Sequence, residues 1–324
     1  MLFAALEIRF VLYTIFGAIT CISSLICLIV FLSTKELRKK YVMFSALSVG
    51  DFLNGLSFVL AGTFRTTALI QGFYYQEVSG MECLLRTPWG LMMVIAGQIP
   101  ALLHLFVALD RVAALQFAAF YRRQPLMFQK QIYVALTGSL TLFFIILAVA
   151  LNLSNPVVNM NRICAVMNST GIYYGTVHFS LIAVTYIFCF VVLWNLFRKS
   201  NNRRAPTGNE LRRQRMILSL DFVSVLLVSI PNLALILDEW KAPDMNTLTV
   251  GTLYCLYAIH SSIPLFIYIY FRIDFRLRFY YLFGWRAHLK HYSSSEKSAV
   301  VPVAPNALYC PRNRIFKVSS TLHT

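Results

Sequence analysis

The chain has 324 residues, 58% of them hydrophobic and only 13% charged, with a formal net charge of +16. A soluble domain carries about twice that charged fraction, so a soluble enzyme is excluded. The positive charge does not point to nucleic acid, because the basic residues fall in short clusters between long apolar runs, the pattern of a membrane protein.

A membrane-crossing helix needs roughly 20 apolar residues. Seven stretches qualify, near 10–32, 42–66, 86–110, 131–153, 173–197, 216–237 and 247–271. The expected fold is an all-α seven-transmembrane helix bundle. Residues 1–9 are too short and the first run too long for a cleavable signal peptide, so the first span is expected to act as its own insertion signal. No internal repeat is visible, which weighs against an inverted-repeat transporter.

The connections set the orientation. The first contains Lys35, Arg38, Lys39 and Lys40, the third Arg122, Arg123 and Lys130, and the fifth runs from Arg198 to Arg215 with seven basic residues. The alternate connections hold Glu77, Glu82, Asp238, Glu239 and Asp244. In all, 24 of the 29 Lys and Arg fall on one side. The positive-inside rule makes that side cytoplasmic and puts the N-terminus outside. Two glycosylation acceptors, Asn152-Leu-Ser and Asn168-Ser-Thr, fall on the outer side, Asn168 farther from the membrane. Cys83 and Cys164 fall there too, in the oxidising compartment, either as a disulfide or as two free thiols. With no C-x-x-C pair among the seven cysteines, no metal site or other cofactor is expected.

After the seventh span, apolar residues at 275, 279, 280, 282 and 283 alternate with Arg276 and Arg278. This predicts a short amphipathic helix over about 273–284 on the inner membrane face. The receptor domain would then cover 1–285, and 286–324 would be a disordered cytoplasmic tail.

Asp110-Arg111-Val112 at the end of the third span resembles the Asp-Arg-Tyr motif of rhodopsin-like G protein-coupled receptors. Leu47-Ser-Val-Gly-Asp51 in the second span, Pro231 in the sixth and Pro264 in the seventh resemble further marks of that family, Pro231 and Pro264 standing where it has helix-bending prolines. The chain departs from it too. Val112 replaces the tyrosine, and the seventh-span motif reads Ile263-Pro-Leu-Phe-Ile267 with Tyr268 one place late. Cys83 lies about one helical turn too far from Arg111, and Pro100 interrupts the third span. These departures, with Asp-Arg-Val-x-Ala-x-x-Phe-x-x-x-Tyr-Arg after the third span, are most similar to nematode serpentine chemoreceptors of the Srsx type.

The resemblance implies a multi-pass chemosensory receptor in the plasma membrane, with a sensory cilium as one such location. It would bind a small-molecule or peptide ligand in the outer bundle and a heterotrimeric G protein at the inner face. Arg111 would be the switch, held by Asp110 and by Glu210 before the sixth span. Asp51 lies inside a span, where a carboxylate costs roughly 2.5–3.5 kcal/mol on insertion scales and must face the bundle. A direct Asp51–His260 pair is expected in place of a sodium site. His104, seven residues before Arg111 and on the same helix face, is expected to meet Asp221 and couple the third and sixth spans. The ligand would touch Trp89, Met92, Met93, Gly97, Gln98, His178, Tyr254 and Tyr257. Met93 stands where amine receptors carry an aspartate, which argues against a monoamine.

Three other functions are weighed. None of the nine lysines lies inside a span, so no retinal Schiff base can form. No H-E-x-x-H, nucleophile elbow or phosphate loop occurs, so an enzyme is not expected. A proton- or ion-conducting channel or transporter using Asp51, His104, Asp221 and His260 is the alternative.

Overall fold

The structure, a computed structural model, describes residues 2–116, 126–156, 158–203, 208–240 and 245–284. Over these residues it is all-α apart from one two-residue strand pair. Among the described residues, seven helices are long and apolar enough to cross a membrane: Phe3–Leu32, Val42–Ile70, Gly90–Ala114, Met127–Ser154, Ile172–Lys199, Leu211–Glu239 and Leu248–Phe271. Side chains such as Leu142, Phe143 and Ile146 on the fourth span are exposed. That is an expensive surface in water and an ordinary one against lipid tails.

Several boundaries differ from the sequence expectation, each for a local reason. The first helix begins at Leu2 rather than near residue 10. It absorbs Arg9, whose Nε donates to the Tyr13 hydroxyl one turn later at 2.7 Å. The third span begins at Gly90, not 86. Cys83 sits on its own short helix, Gly80–Leu85, capped by the Ser79 side chain, and turn residues around Pro88 separate the two. This break accounts for the spacing of Cys83 from Arg111. Pro100 does not interrupt the third span, which runs unbroken to Gln116. Its ring lies against Gly50 of the second span, where an added Cβ would come within 3.2 Å.

The sixth span changes character midway. Gly208–Ser224 is α-helical, Val225–Ser229 is a π-helical turn, and Ile230–Glu239 resumes with Pro231 in its first turn. Proline has no N–H to donate and its ring crowds the carbonyl four residues back. The wide turn lies where that crowding falls. The seventh span breaks at Ile263, and Pro264 opens its second segment, Pro264–Phe271. A last helix runs over Ile273–Leu282, two residues shorter than expected, with Gly284 at a φ of 76° after it. The expected tail lies outside the described residues.

Between spans in lipid, association depends on close packing and polar contacts rather than on the hydrophobic effect. The first and second spans meet through small residues. A Cβ at Gly55 would lie 2.8 Å from the Gly17 carbonyl oxygen and from the Cys21 amide nitrogen. Gly55→Leu is therefore expected to destabilise the purified protein by about 1–3 kcal/mol. Gly138→Leu, with nothing within 4 Å of the new carbon, should leave the thermal unfolding midpoint nearly unchanged. Equal midpoints for the two variants would contradict this packing.

Candidate functional site

Midway along the bundle the apolar core is interrupted by a buried polar layer. His104 of the third span and Asp221 of the sixth meet in it, Nδ1 to Oδ1, at 2.6 Å. Both side chains are buried. The Tyr186 ring of the fifth span stands edge-on to His104 at 5.2 Å and to His260 at 5.9 Å. His260 hydrogen-bonds through Nε2 to Ser224 of the sixth span at 2.8 Å. Third, fifth, sixth and seventh spans thus share one contiguous set of polar and aromatic contacts.

Asp51 belongs to the same layer but does not pair with His260. The Ser261 hydroxyl is the group that faces its carboxyl, and Oδ1 has no hydrogen-bond partner. Asn54, one turn on, donates to Ser261 Oγ at 3.0 Å. The reason is rotational. His260 and Ser261 are consecutive, so they point about 100° apart around the helix. Ser261 takes the face toward the second span, which leaves His260 facing the sixth.

The Arg111 end of the bundle carries a second arrangement. Arg111 and Asp110 form an ion pair with each other. The Glu210 side chain lies outside the described residues. Two clefts open here, between the second, third and sixth spans. One is lined by Lys40, Asp110, Arg111, Lys130 and Arg213; the other reaches His104. They share Met43, Phe44, Val107 and Ile217 as walls. The two clefts therefore adjoin, one bordering the ion pair and the other His104.

The last helix is tied to this end. Phe275 is buried against Phe31 at 5.0 Å and Tyr268 at 5.6 Å. Tyr268 is thereby an aromatic core residue, its hydroxyl buried without a partner. Asp274 takes a hydrogen bond from Tyr41 at 3.3 Å and pairs with Lys40 and Arg272. Burial alone raises the Asp274 carboxyl. The Lys40 ammonium, the Arg272 guanidinium and the Tyr41 hydroxyl outweigh burial and hold it below the ordinary carboxylate range.

The opposite end is closed by a disulfide between Cys83 and Cys164. The strands Val78–Ser79 and Val158–Asn159 pair antiparallel beside it. Cys164 has a φ of 43°, the left-handed region that side chains rarely enter. Its carbonyl accepts from Trp89 Nε1 at 3.1 Å and from an Arg65 terminal nitrogen at 3.2 Å. Asn152 is buried, its amide nitrogen donating to the Ser169 carbonyl at 2.5 Å, so the folded chain has no room for a glycan there. Asn168 is half-buried and exchanges hydrogen bonds with Asn159.

The residues expected to meet a ligand fall into two groups. Gln98 donates to the Tyr174 hydroxyl at 3.1 Å and contacts His178 at 3.2 Å, with Gly97 packed beside the His178 ring. Met93 is buried and Met92 half-buried on the same helix. Tyr254 and Tyr257 stack at 6.5 Å on the seventh span, and Tyr254 faces Tyr13 of the first. The two clefts at the Arg111 end touch neither group. Sequence reasoning missed Arg9 and Arg65. Both are buried, at 4% and 1% exposure, between the Tyr13 ring and its neighbours. Arg65 stood inside a predicted span, and an intramembrane charge is itself the signal that would have found it.

Compared with known proteins, the chain matches no family model and no curated protein.

Two outcomes are expected. Removing either His104 or Asp221 leaves a buried polar partner exposed to the core, costing about 3–5 kcal/mol if the pair is charged. A double-mutant cycle on unfolding should give a coupling of about 1–3 kcal/mol; strict additivity would remove the contact from the account. Asp274→Asn should lower the thermal midpoint at neutral pH. Because the folded carboxyl titrates below its unfolded value, that stabilisation is present above roughly pH 4 and is lost as acid titrates the folded group. The midpoint difference between wild type and variant should therefore close at low pH.

Proposed function

We propose that the chain is a G protein-coupled receptor of the serpentine chemosensory kind and not an enzyme. Its residues 1–285 form the receptor domain, with the Arg111 end facing the cytoplasm at the plasma membrane. The observation that carries this reading is the cleft between the second, third and sixth spans. Asp110–Arg111 lines its outer part, and the adjoining cleft is lined by His104, which meets Asp221. A guanidinium at a membrane boundary is always charged and offers a planar fork of donors, which suits it to a partner's carbonyls once Asp110 lets go. The cleft widens if the sixth span moves away from the third. His104–Asp221 opposes that movement, and the π-turn before Pro231 supplies the place to bend.

The same buried Asp51, His104, Asp221 and His260 favour a second reading, a proton or ion pathway. Purified protein in nanodiscs with heterotrimeric G proteins separates the two. Nucleotide exchange should be measurable without ligand, should rise several-fold in Asp221→Asn, and should fall to background when Arg111→Ala is added. Absent exchange, together with a proton current in liposomes that Asp221→Asn abolishes, would establish the pathway instead.

A further inference from the structure

We propose that the disulfide ends of the first, second and seventh spans form a binding site for a small organic carboxylate with an apolar or aromatic body, and that Arg65 holds the carboxylate. Arg65 is among the largest fully buried side chains of the protein. Its guanidinium carbon lies 6.0 Å from the Phe10 ring centre, 5.9 Å from Tyr13 and 5.5 Å from Trp89. One terminal nitrogen reaches the Cys164 carbonyl, but Nε is buried with no hydrogen-bond partner. Among the described residues no carboxylate lies within ion-pairing distance of it. The ionisable groups that act on it are Tyr13, Arg9, Tyr74 and Tyr254, three phenols and a second cation, with no carboxylate among them.

An arginine at that depth is costly unless something offsets the charge. Ring faces offset part of it, roughly 0.5–2 kcal/mol each. They cannot accept the in-plane N–H of Nε. Arg9 adds to the positive field, its guanidinium 5.5 Å from the same Tyr13 ring. Gly251 of the seventh span makes room for its stem: a Cβ there would lie 2.6 Å from Arg9 Cγ. Glu239 acts on Tyr254 of these walls but not on Arg65; a ligand carboxylate supplies what Arg65 lacks, an anion whose two oxygens match the guanidinium fork.

The rest of the ligand follows from the walls. Tyr13, Tyr254 and Tyr257 form a row of rings, each 6.5 Å from the next. At the far end the Tyr257 hydroxyl is buried with no partner. The row offers ring faces to an apolar body and one hydroxyl to its distal end. A phosphate monoester brings up to a second charge and a third oxygen that these walls do not answer. Buried donors without partners at both ends of one aromatic row indicate a ligand rather than tight helix packing alone.

What occupancy does to signalling rests on the receptor reading; the site itself does not. The test uses full-length protein in nanodiscs, without G protein, and phenylacetate as the probe. Phenylacetate should bind saturably, with phenylacetamide and phenyl phosphate each at least tenfold weaker. Arg65→Gln should weaken phenylacetate at least tenfold. If that variant does not fold, Arg65→Lys keeps the charge but loses the fork, and should bind several-fold more weakly while still preferring the acid to the amide. No binding to wild type, equal binding of the amide, tighter binding of phenyl phosphate, or unchanged affinity in the variants overturns the proposal. Nucleotide exchange without phenylacetate binding removes this site and leaves the receptor; binding without exchange does the reverse.

Discussion

The contact between His104 and Asp221 is the constraint on which the arrangement of the inner half depends. Helices in lipid gain little from the hydrophobic effect when they meet, so each pair needs tight packing or a polar contact. The first two spans have the former, backbone against backbone at Gly17 and Gly55. The third and sixth have the latter. A hydrogen bond between two buried ionisable groups is a directional, breakable link. It joins two spans whose separation sets the width of the cleft at Arg111.

The polar layer around that contact makes it collective. Tyr186 touches both histidines, Ser224 links His260 to the sixth span four residues from Leu220, whose carbonyl it also engages, and Ser261 joins Asn54 and Asp51 to the seventh. Movement of the sixth span therefore disturbs contacts on three other spans at once. Both ends of the bundle are held separately, by the disulfide at one and by Lys40, Tyr41, Arg272 and Asp274 at the other. Between two anchored ends, the π-turn and Pro231 leave the sixth span its own place to give.

Much of this was legible in the sequence, and the exceptions are instructive. Seven long apolar runs leave few alternatives, and a helix period of 3.6 puts His104 and Arg111 on one face. The partners of Asp51 and His260 were not legible, because choosing between His260 and Ser261 requires the rotation of the seventh span. The place of Cys83 depended on a helix break at Pro88 that hydropathy alone does not register. Arg9 and Arg65 were passed over because a charge near the end of an apolar run reads as its boundary. In the fold both are drawn inside and wrapped in aromatic rings, a packing that no local pattern announces.

The proposed receptor function requires the third and sixth spans to part at the Arg111 end when a G protein binds. Spin labels at Gln116 on the third span and Arg212 on the sixth, both exposed side chains, report that separation by electron–electron resonance in nanodiscs. The account predicts a distance increase on the order of 5 Å with nucleotide-free heterotrimer, and a partial increase in Asp221→Asn alone. A distance that stays fixed in both conditions, in protein shown to bind the heterotrimer, would contradict it.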